Sequence, residues 1–287
     1  MITRSLLHFI GFLLSLFGSL GLRIIAFILG IIAFDILQLR KKIILANLDI
    51  AFGNTRTRAE KIQIGRKSYV NFLNTALEFF ASKRLYPQLT TVARDSAHME
   101  NALKKGLGVY NMAIHIGNFE LMAAEAAKHW THVNAVTKPV GKGEFAAWVR
   151  RRREENGISE ILPGAEKGSR QKEIYKALDR KEIVGFMVDQ RRSKGISLPF
   201  FGKPAMTNTS LFRLWKSHRA PIVPTLLRRV GISSYEFLFL PEFEVHEDPA
   251  WSEEEFLREN TTRMNLVVEE MIRLAPQEYF WLHKRWK

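Results

Sequence analysis

The sequence predicts an α/β fold, a central mixed sheet flanked by helices, entered through an N-terminal membrane-anchoring helix. Three observations carry this expectation. The 287 residues are 46% hydrophobic, enough to bury a sizeable core. Residues 5–39 are almost continuously apolar, interrupted by His8, Arg23, Asp35 and Gln38. Further along, short apolar runs alternate with helical patterns, the order of elements that builds an α/β sheet.

Residues 5–22 match the roughly 17–25 residues a spanning helix needs, residues 24–39 are shorter, and Arg23 between them is costly at mid-bilayer. One span followed by an interfacial apolar segment is expected, with residues 1–42 as the anchor and 43–287 as one further domain. Arg40, Lys41 and Lys42 follow at once and favour a cytoplasmic body under the positive-inside rule, with Arg4 weighing the other way. A cleaved signal peptide and a buried helix pair of a soluble protein compete with this reading. The apolar run outlasts a signal h-region of about 7–15 residues, and no small-residue cleavage site follows it.

From residue 47 to 83, Ile62, Tyr69, Phe72, Leu73 and Leu77 recur at helical spacing, so two or three helices are expected. Residues 108–114, 182–188 and 220–227 read as strands, and 118–130 as a helix. Ser252 with Glu255 forms a capping box for a last helix over 252–274.

The chain carries 43 Lys+Arg against 29 Asp+Glu, a formal charge of +14, which points to an anionic partner: nucleic acid, anionic lipid or an acidic carrier protein. Between residues 198 and 235 there is no acidic residue, while Lys203, Arg213, Lys216, Arg219, Arg228 and Arg229 accumulate, making this window the candidate for contacting phosphates. At the carboxyl end His283, Lys284, Arg285 and Lys287 surround Trp281 and Trp286, which suits a membrane interface and also nucleic-acid stacking. Cysteine is absent, which excludes disulfides, thiol nucleophiles and Cys-ligated metals. The P-loop, the G-x-S-x-G elbow and the H-E-x-x-H helix are absent as well.

The strand ending at Ile114 runs into His115-Ile-Gly-Asn-Phe-Glu120, with Asn118 a natural N-cap for the next helix. His115 and Glu120 would face apart on one helix, but a turn at Gly117 brings them together across the strand-to-helix corner. A carboxylate beside an imidazole fixes its tautomer and stabilises the imidazolium, which equips it as a general base; a structural histidine near a helix start is the competing reading. Asp189 ends the strand over 182–188, where it is placed to orient Arg153 or a substrate, or merely to cap a loop.

The His-x4-Glu motif just after a strand, behind an apolar anchor, resembles the lysophospholipid and glycolipid acyltransferases. More closely, the chain resembles the bacterial lipid A late acyltransferases, the lauroyl and myristoyl transferase family. Further motifs stand in order: Asn47-Leu48 with Ala51-Phe52, Asp189-Gln190, Pro199-Phe-Phe-Gly202 with Pro204-Ala205 and Thr207, Ala220-Pro-Ile-Val-Pro224 with Arg228, and the close from Pro276 to Lys287. The resemblance spans the chain from about Leu6 to Lys287.

It implies a glycerolipid-acyltransferase-like fold at the bacterial inner membrane, with its catalytic domain on the cytoplasmic face. His115 would deprotonate an acceptor hydroxyl and Glu120 would orient or charge-balance it. The donor would be acyl carrier protein, or acyl-CoA, as a co-substrate; no cofactor, no metal and no nucleic acid are expected, and anionic membrane lipids are expected partners. Arg153 matches a basic position of the family, placed to stabilise an oxyanion or hold a phosphate, although in the run Arg150 to Arg153 most side chains are expected on an exposed face. Asn118 and Arg228 complete the candidate substrate-binding set. The Phe200-Phe201 pair would either wall an acyl groove or pack the core. In the stretch Thr137-Lys-Pro-Val-Gly-Lys-Gly-Glu144 the family's basic-proline pair is kept as Lys138-Pro139, but its Asn-Pro and Asp are missing, which leaves another glycolipid or a lysophospholipid open as acceptor. The reading from another class is a non-catalytic basic inner-membrane protein that binds anionic lipid or nucleic acid.

Overall fold

The computed structural model describes residues 3–166 and 168–286. Two apolar helices open it, α1 (Arg4–Ser15) and α2 (Gly18–Ile31). Gly18, at φ +59°, breaks the helical path, so the interruption falls there and not at Arg23. Helix α2 runs on through a π-helical turn, and the segment long and apolar enough to cross a bilayer is Gly18–Ile36, 19 residues with mean hydropathy 2.1, rather than residues 5–22. Leu20, Ile24, Phe27 and Ile28 on it are half exposed or more, unlike the side chains of a core helix. Arg23 turns back onto the protein, donating to the Gly231 carbonyl at 3.2 Å.

Two helices follow, α3 (Lys41–Phe52) and α4 (Arg58–Leu85), the latter opened by a capping box of Thr57 and Glu60. Helix α4 takes α1 and α2 against one side and faces the sheet domain with the other. The sheet domain then runs β1 (Thr90–Arg94), α5 (Ala97–Lys104), β2 (Val109–Ala113), α6 (Phe119–His129), β3 (Val133–Val136), α7 (Gly143–Glu155), β4 (Ile158–Ile161), α8 (Ser169–Asp179) and β5 (Ile183–Met187). It continues through β6 (Ile196–Phe200), β7 (Lys203–Thr207), α9 (Ser210–Ser217), β8 (Ile222–Arg229), β9 (Ser234–Phe239) and α10 (Glu253–Leu274).

The main sheet has seven strands in the order β1-β9-β8-β2-β5-β3-β4, and β6 pairs with β7 in a separate hairpin. Only β8 and β9 run antiparallel within it, so the sheet is mixed. Strand alternation splits the core between the two faces. Tyr110, Met112, Val184 and Phe186 pack towards α8, α10 and the chain's end, whereas Val109, Ala113, Val133 and Ile183 face α6. Helix α10 begins at the Ser252–Glu255 capping box, both halves of which form.

The last residues are a buried strap rather than a membrane-interface tail. Trp281, Arg285 and Trp286 are all buried, and Asn47 donates to the carbonyls of Trp281 and His283 at 2.8 and 2.7 Å. Arg285 donates to Met206 O and Thr207 Oγ1 across the face of Phe200. Phe200 stacks on Trp286 and Phe201 is buried beside Trp281, so the pair packs the core and walls no groove. Lys287 lies outside the described residues.

Candidate active site

Strands β2 and β5 are parallel neighbours with Ala113 opposite Met187. Two residues further along each chain, at the carboxyl ends where such sheets bind ligands, His115 comes opposite Asp189. Asp189 Oδ1 accepts from His115 Nδ1 at 2.8 Å, and Oδ2 accepts the His115 backbone N–H at 3.2 Å. Burial alone would raise the Asp189 carboxyl, but the imidazole and these hydrogen bonds hold it below the ordinary carboxylate range. With Nδ1 committed to Asp189, Nε2 carries the lone pair, and Gln190 Nε2 lies 3.3 Å from it.

The turn after His115 is clamped from several sides. Phe280 N donates to His115 O at 2.9 Å, Gly117 N to Glu278 O at 3.3 Å, and Thr75 Oγ1 and Asn71 Nδ2 both donate to Gly117 O. Gly117 has φ +57°, and a Cβ there would sit 1.6 Å from the Leu227 carbonyl, so only glycine fits. Asn118 caps α6 by accepting from Leu121 N at 2.9 Å and donates to Glu78 at 2.7 Å. Glu78 is fully buried and also accepts from Asn74, both Arg229 Nη atoms and Tyr235. This network ties the cap of α6 to α4, β8 and β9.

Glu120 does not pair with His115. In the first turn of α6 it takes both Arg153 Nε, at 3.0 Å, and Arg153 Nη2, while Arg153 Nη1 is held by Glu160 on β4. Burial lowers the Arg153 guanidinium, but the two carboxylates more than offset this and raise it. Arg152 and Arg153 are buried while Arg150 and Arg151 are exposed, so half of the arginine run turns inward. Asp189 accordingly orients His115 and not Arg153.

His115, Glu120, Arg153 and Gln190 line the polar end of a cavity of about 490 Å3. The rest of its wall is mostly apolar: Phe72, Ala76 and Phe79 of α4, Met122 and Ala126 of α6, Phe145 and Val149 of α7, and the sheet face beneath. That size suits a small-molecule or lipid-chain site. Among the described residues no cluster of His, Asp and Glu is arranged to hold a metal.

A family model described as bacterial lipid A biosynthesis acyltransferase matches residues 1–287. The chain belongs to this family. Among curated proteins it is similar to the lipid A biosynthesis lauroyltransferase of Escherichia coli (strain K12), at 25% identity over 268 residues, 90% of this chain and 83% of the relative. The lipid A biosynthesis palmitoleoyltransferase of the same organism and a lipid A biosynthesis acyltransferase of Shigella flexneri are each 31% identical over 118 residues, 40% of this chain and 36% of theirs.

Not every predicted residue of this acyltransferase reaches the cavity. Arg228 sits near the carboxyl end of β8, at the same sheet edge as His115, but it pairs with Glu236 at 2.7 and 3.0 Å and does not line the cavity. The arginines of the basic window around it are not free cations either. Arg213, Arg219, Arg228 and Arg229 pair with Glu253, Glu247, Glu236 and Glu78, all from outside the window. Sequence reasoning missed Glu160, whose strand comes beside Arg153 only in the fold, and Glu78, one carboxylate in a long helix with nothing local to mark it. His283 was noticed only for its charge; its Nε2 accepts from Arg191 N at 2.9 Å, and burial lowers its pKa, which keeps the loop after Asp189 in place.

Proposed function

We propose that this acyltransferase moves a fatty acyl group from a carrier thioester, that of acyl carrier protein or CoA, to a hydroxyl of a lipid A precursor or related glycolipid. The observation that carries the reading is the Asp189–His115 pair opening its Nε2 into the head of a mostly apolar cavity. His115 Nε2 takes the proton of the acceptor hydroxyl as its oxygen attacks the thioester carbon. Asp189 stabilises the imidazolium so formed. When the tetrahedral intermediate collapses, the C–S bond breaks and the imidazolium returns the proton to the departing thiolate, leaving an ester and a free carrier thiol. Glu120 and Arg153 form the fixed charged wall beside this centre; two guanidinium N–H groups outside the Glu120 and Glu160 contacts are available to a carbonyl oxygen or phosphate.

The half-exposed apolar face of Gly18–Ile36, followed by Arg40, Lys41 and Lys42, supports anchoring in the inner membrane with residues 43–287 as the acyltransferase domain on the cytoplasmic side. There the cavity draws the acyl chain away from water and limits thioester hydrolysis. The test uses the purified full-length protein in detergent with an acyl-carrier thioester and a lipid A precursor. Wild type should yield a lipid heavier by one acyl group and His115→Ala should yield none while keeping its thermal midpoint. Equal rates from the two proteins would remove His115 from the chemistry. Transfer only to a lysophospholipid would redirect the acceptor.

A further inference from the structure

The cavity runs along the sheet rather than ending beneath His115. On β5 its floor is made by Met187, Gly185 and Ile183, with Asn111 of β2 and Ala135 of β3 in register with Gly185. Of the floor residues on β5, Ile183 lies farthest from His115, and Val133, paired with both Ile183 and Ile158, lines the cavity with them at that level.

Gly185 is the one position on this floor whose residue type the fold does not explain. Its backbone lies outside the left-handed region, and a Cβ built there would meet only the Asn134 carbonyl, at 3.9 Å. Neither conformation nor packing demands glycine, and glycine in a strand interior weakens the strand. What the missing side chain does is leave the cavity continuous between Met187 and Ile183.

The depth follows from strand geometry. Gly185 lies four residues before Asp189 and Ile183 six, so at about 3.3 Å per residue they sit ~13 and ~20 Å from the His115 level. An extended alkyl chain advances about 1.3 Å per carbon, given C–C bonds near 1.5 Å. Gly185 is thus passed by roughly the tenth carbon of a chain whose carbonyl sits at His115, and Ile183 is reached near the fifteenth.

We propose that Gly185 sets acyl-chain selectivity, admitting chains of about 12–15 carbons that a bulky side chain at this position would stop at about 10. This rests on the acyl-transfer reading above.

The experiment offers the purified enzyme and its Gly185→Ala, Gly185→Leu and Ile183→Ala variants an equimolar mixture of acyl-carrier thioesters from about 8 to 18 carbons, with products weighed by mass spectrometry. Wild type should favour the range from 12 to 15 carbons. Gly185→Leu should move the optimum to about 10 carbons or fewer and cut the preference for longer chains ~100-fold, since about four methylenes lose their burial. Gly185→Ala should fall between them, and Ile183→Ala should shift the optimum to longer chains. Because a Cβ at 185 meets open space, Gly185→Ala should fold as wild type does and so carries the test if leucine does not. An unchanged chain-length profile in folded Gly185→Ala and Ile183→Ala overturns the assignment while acyl transfer stands. No transfer by wild type from any donor overturns the reading beneath it.

Discussion

Replacing Asp189 with asparagine keeps the side chain's size and removes its charge, which isolates what the carboxylate does for His115. Asp189 accepts two hydrogen bonds, one from the His115 backbone N–H and one from Nδ1. An asparagine has one oxygen for these two donors. If that oxygen faces the backbone, the amide NH2 points at Nδ1, which must then accept, and the proton moves to Nε2, where the lone pair was needed. If the oxygen faces the ring, the NH2 abuts the backbone N–H and a buried donor is left unpaired. Either arrangement also removes the negative charge that stabilises the imidazolium. The same change in Ser-His-Asp enzymes costs about 10^4 in kcat, and a loss of ~10^3–10^4, or about 4–5.5 kcal/mol of barrier, is expected here. The assay is single-turnover acyl transfer at saturating donor, with the thermal midpoint as the control for folding. A folded Asp189→Asn enzyme within tenfold of wild type would refute the general-base assignment of Nε2.

Three further outcomes follow from the buried charges. Arg153→Met strands Glu120 and leaves Glu160 only its longer contact with Arg150, at 3.5 Å, whereas Glu120→Gln leaves Arg153 paired with Glu160; the first should cost about 3–5 kcal/mol and the second clearly less, as read by denaturant unfolding in detergent. Equal costs would mean that the two ion pairs are not shared as described. Glu78→Gln removes the only carboxylate paired with buried Arg229 among the described residues and should destabilise by a similar ~3–5 kcal/mol, with midpoint loss outrunning any change in KM. Burial pushes Glu278 up to about 7 from an ordinary 4.5, so between these values the native chain holds a proton that the unfolded chain has released. Stability conferred by this group therefore falls as pH rises through that window. Glu278→Gln should match wild type near the low end and exceed it at pH 8 by up to about 3 kcal/mol, at ~1.36 kcal/mol per pKa unit; parallel pH profiles would contradict it.

The elements that local patterning marks were legible from the sequence: the strand before His115, the Asn118 cap and the Ser252–Glu255 box each announce themselves within a few residues. The identity of the partner of His115 was not. Glu120 stands five residues away in the chain, but the turn at Gly117 starts α6 and aims it at Arg153, while Asp189 arrives from 74 residues away because β5 lies beside β2. The pairing of the arginines in the acid-free window was illegible for the same reason. Its arginines find carboxylates on β9, α10, α4 and the segment before α10, so charge clustered along the chain is neutralised in space. In the N-terminal apolar segment, Arg23 was the conspicuous residue, yet the backbone breaks at Gly18 because an arginine can turn its side chain back to the protein while a φ of +59° suits glycine.

The central claim, that this chain esterifies a lipid hydroxyl with a fatty acyl group through His115, is tested most directly by weighing the lipids of cells that carry either wild-type protein or His115→Ala at the same expression level. The account predicts that lipid A or a related glycolipid in the His115→Ala cells is lighter by the mass of one fatty acyl chain, with the other lipids unchanged. Identical lipid masses in the two strains, with both proteins folded at the membrane, would contradict it.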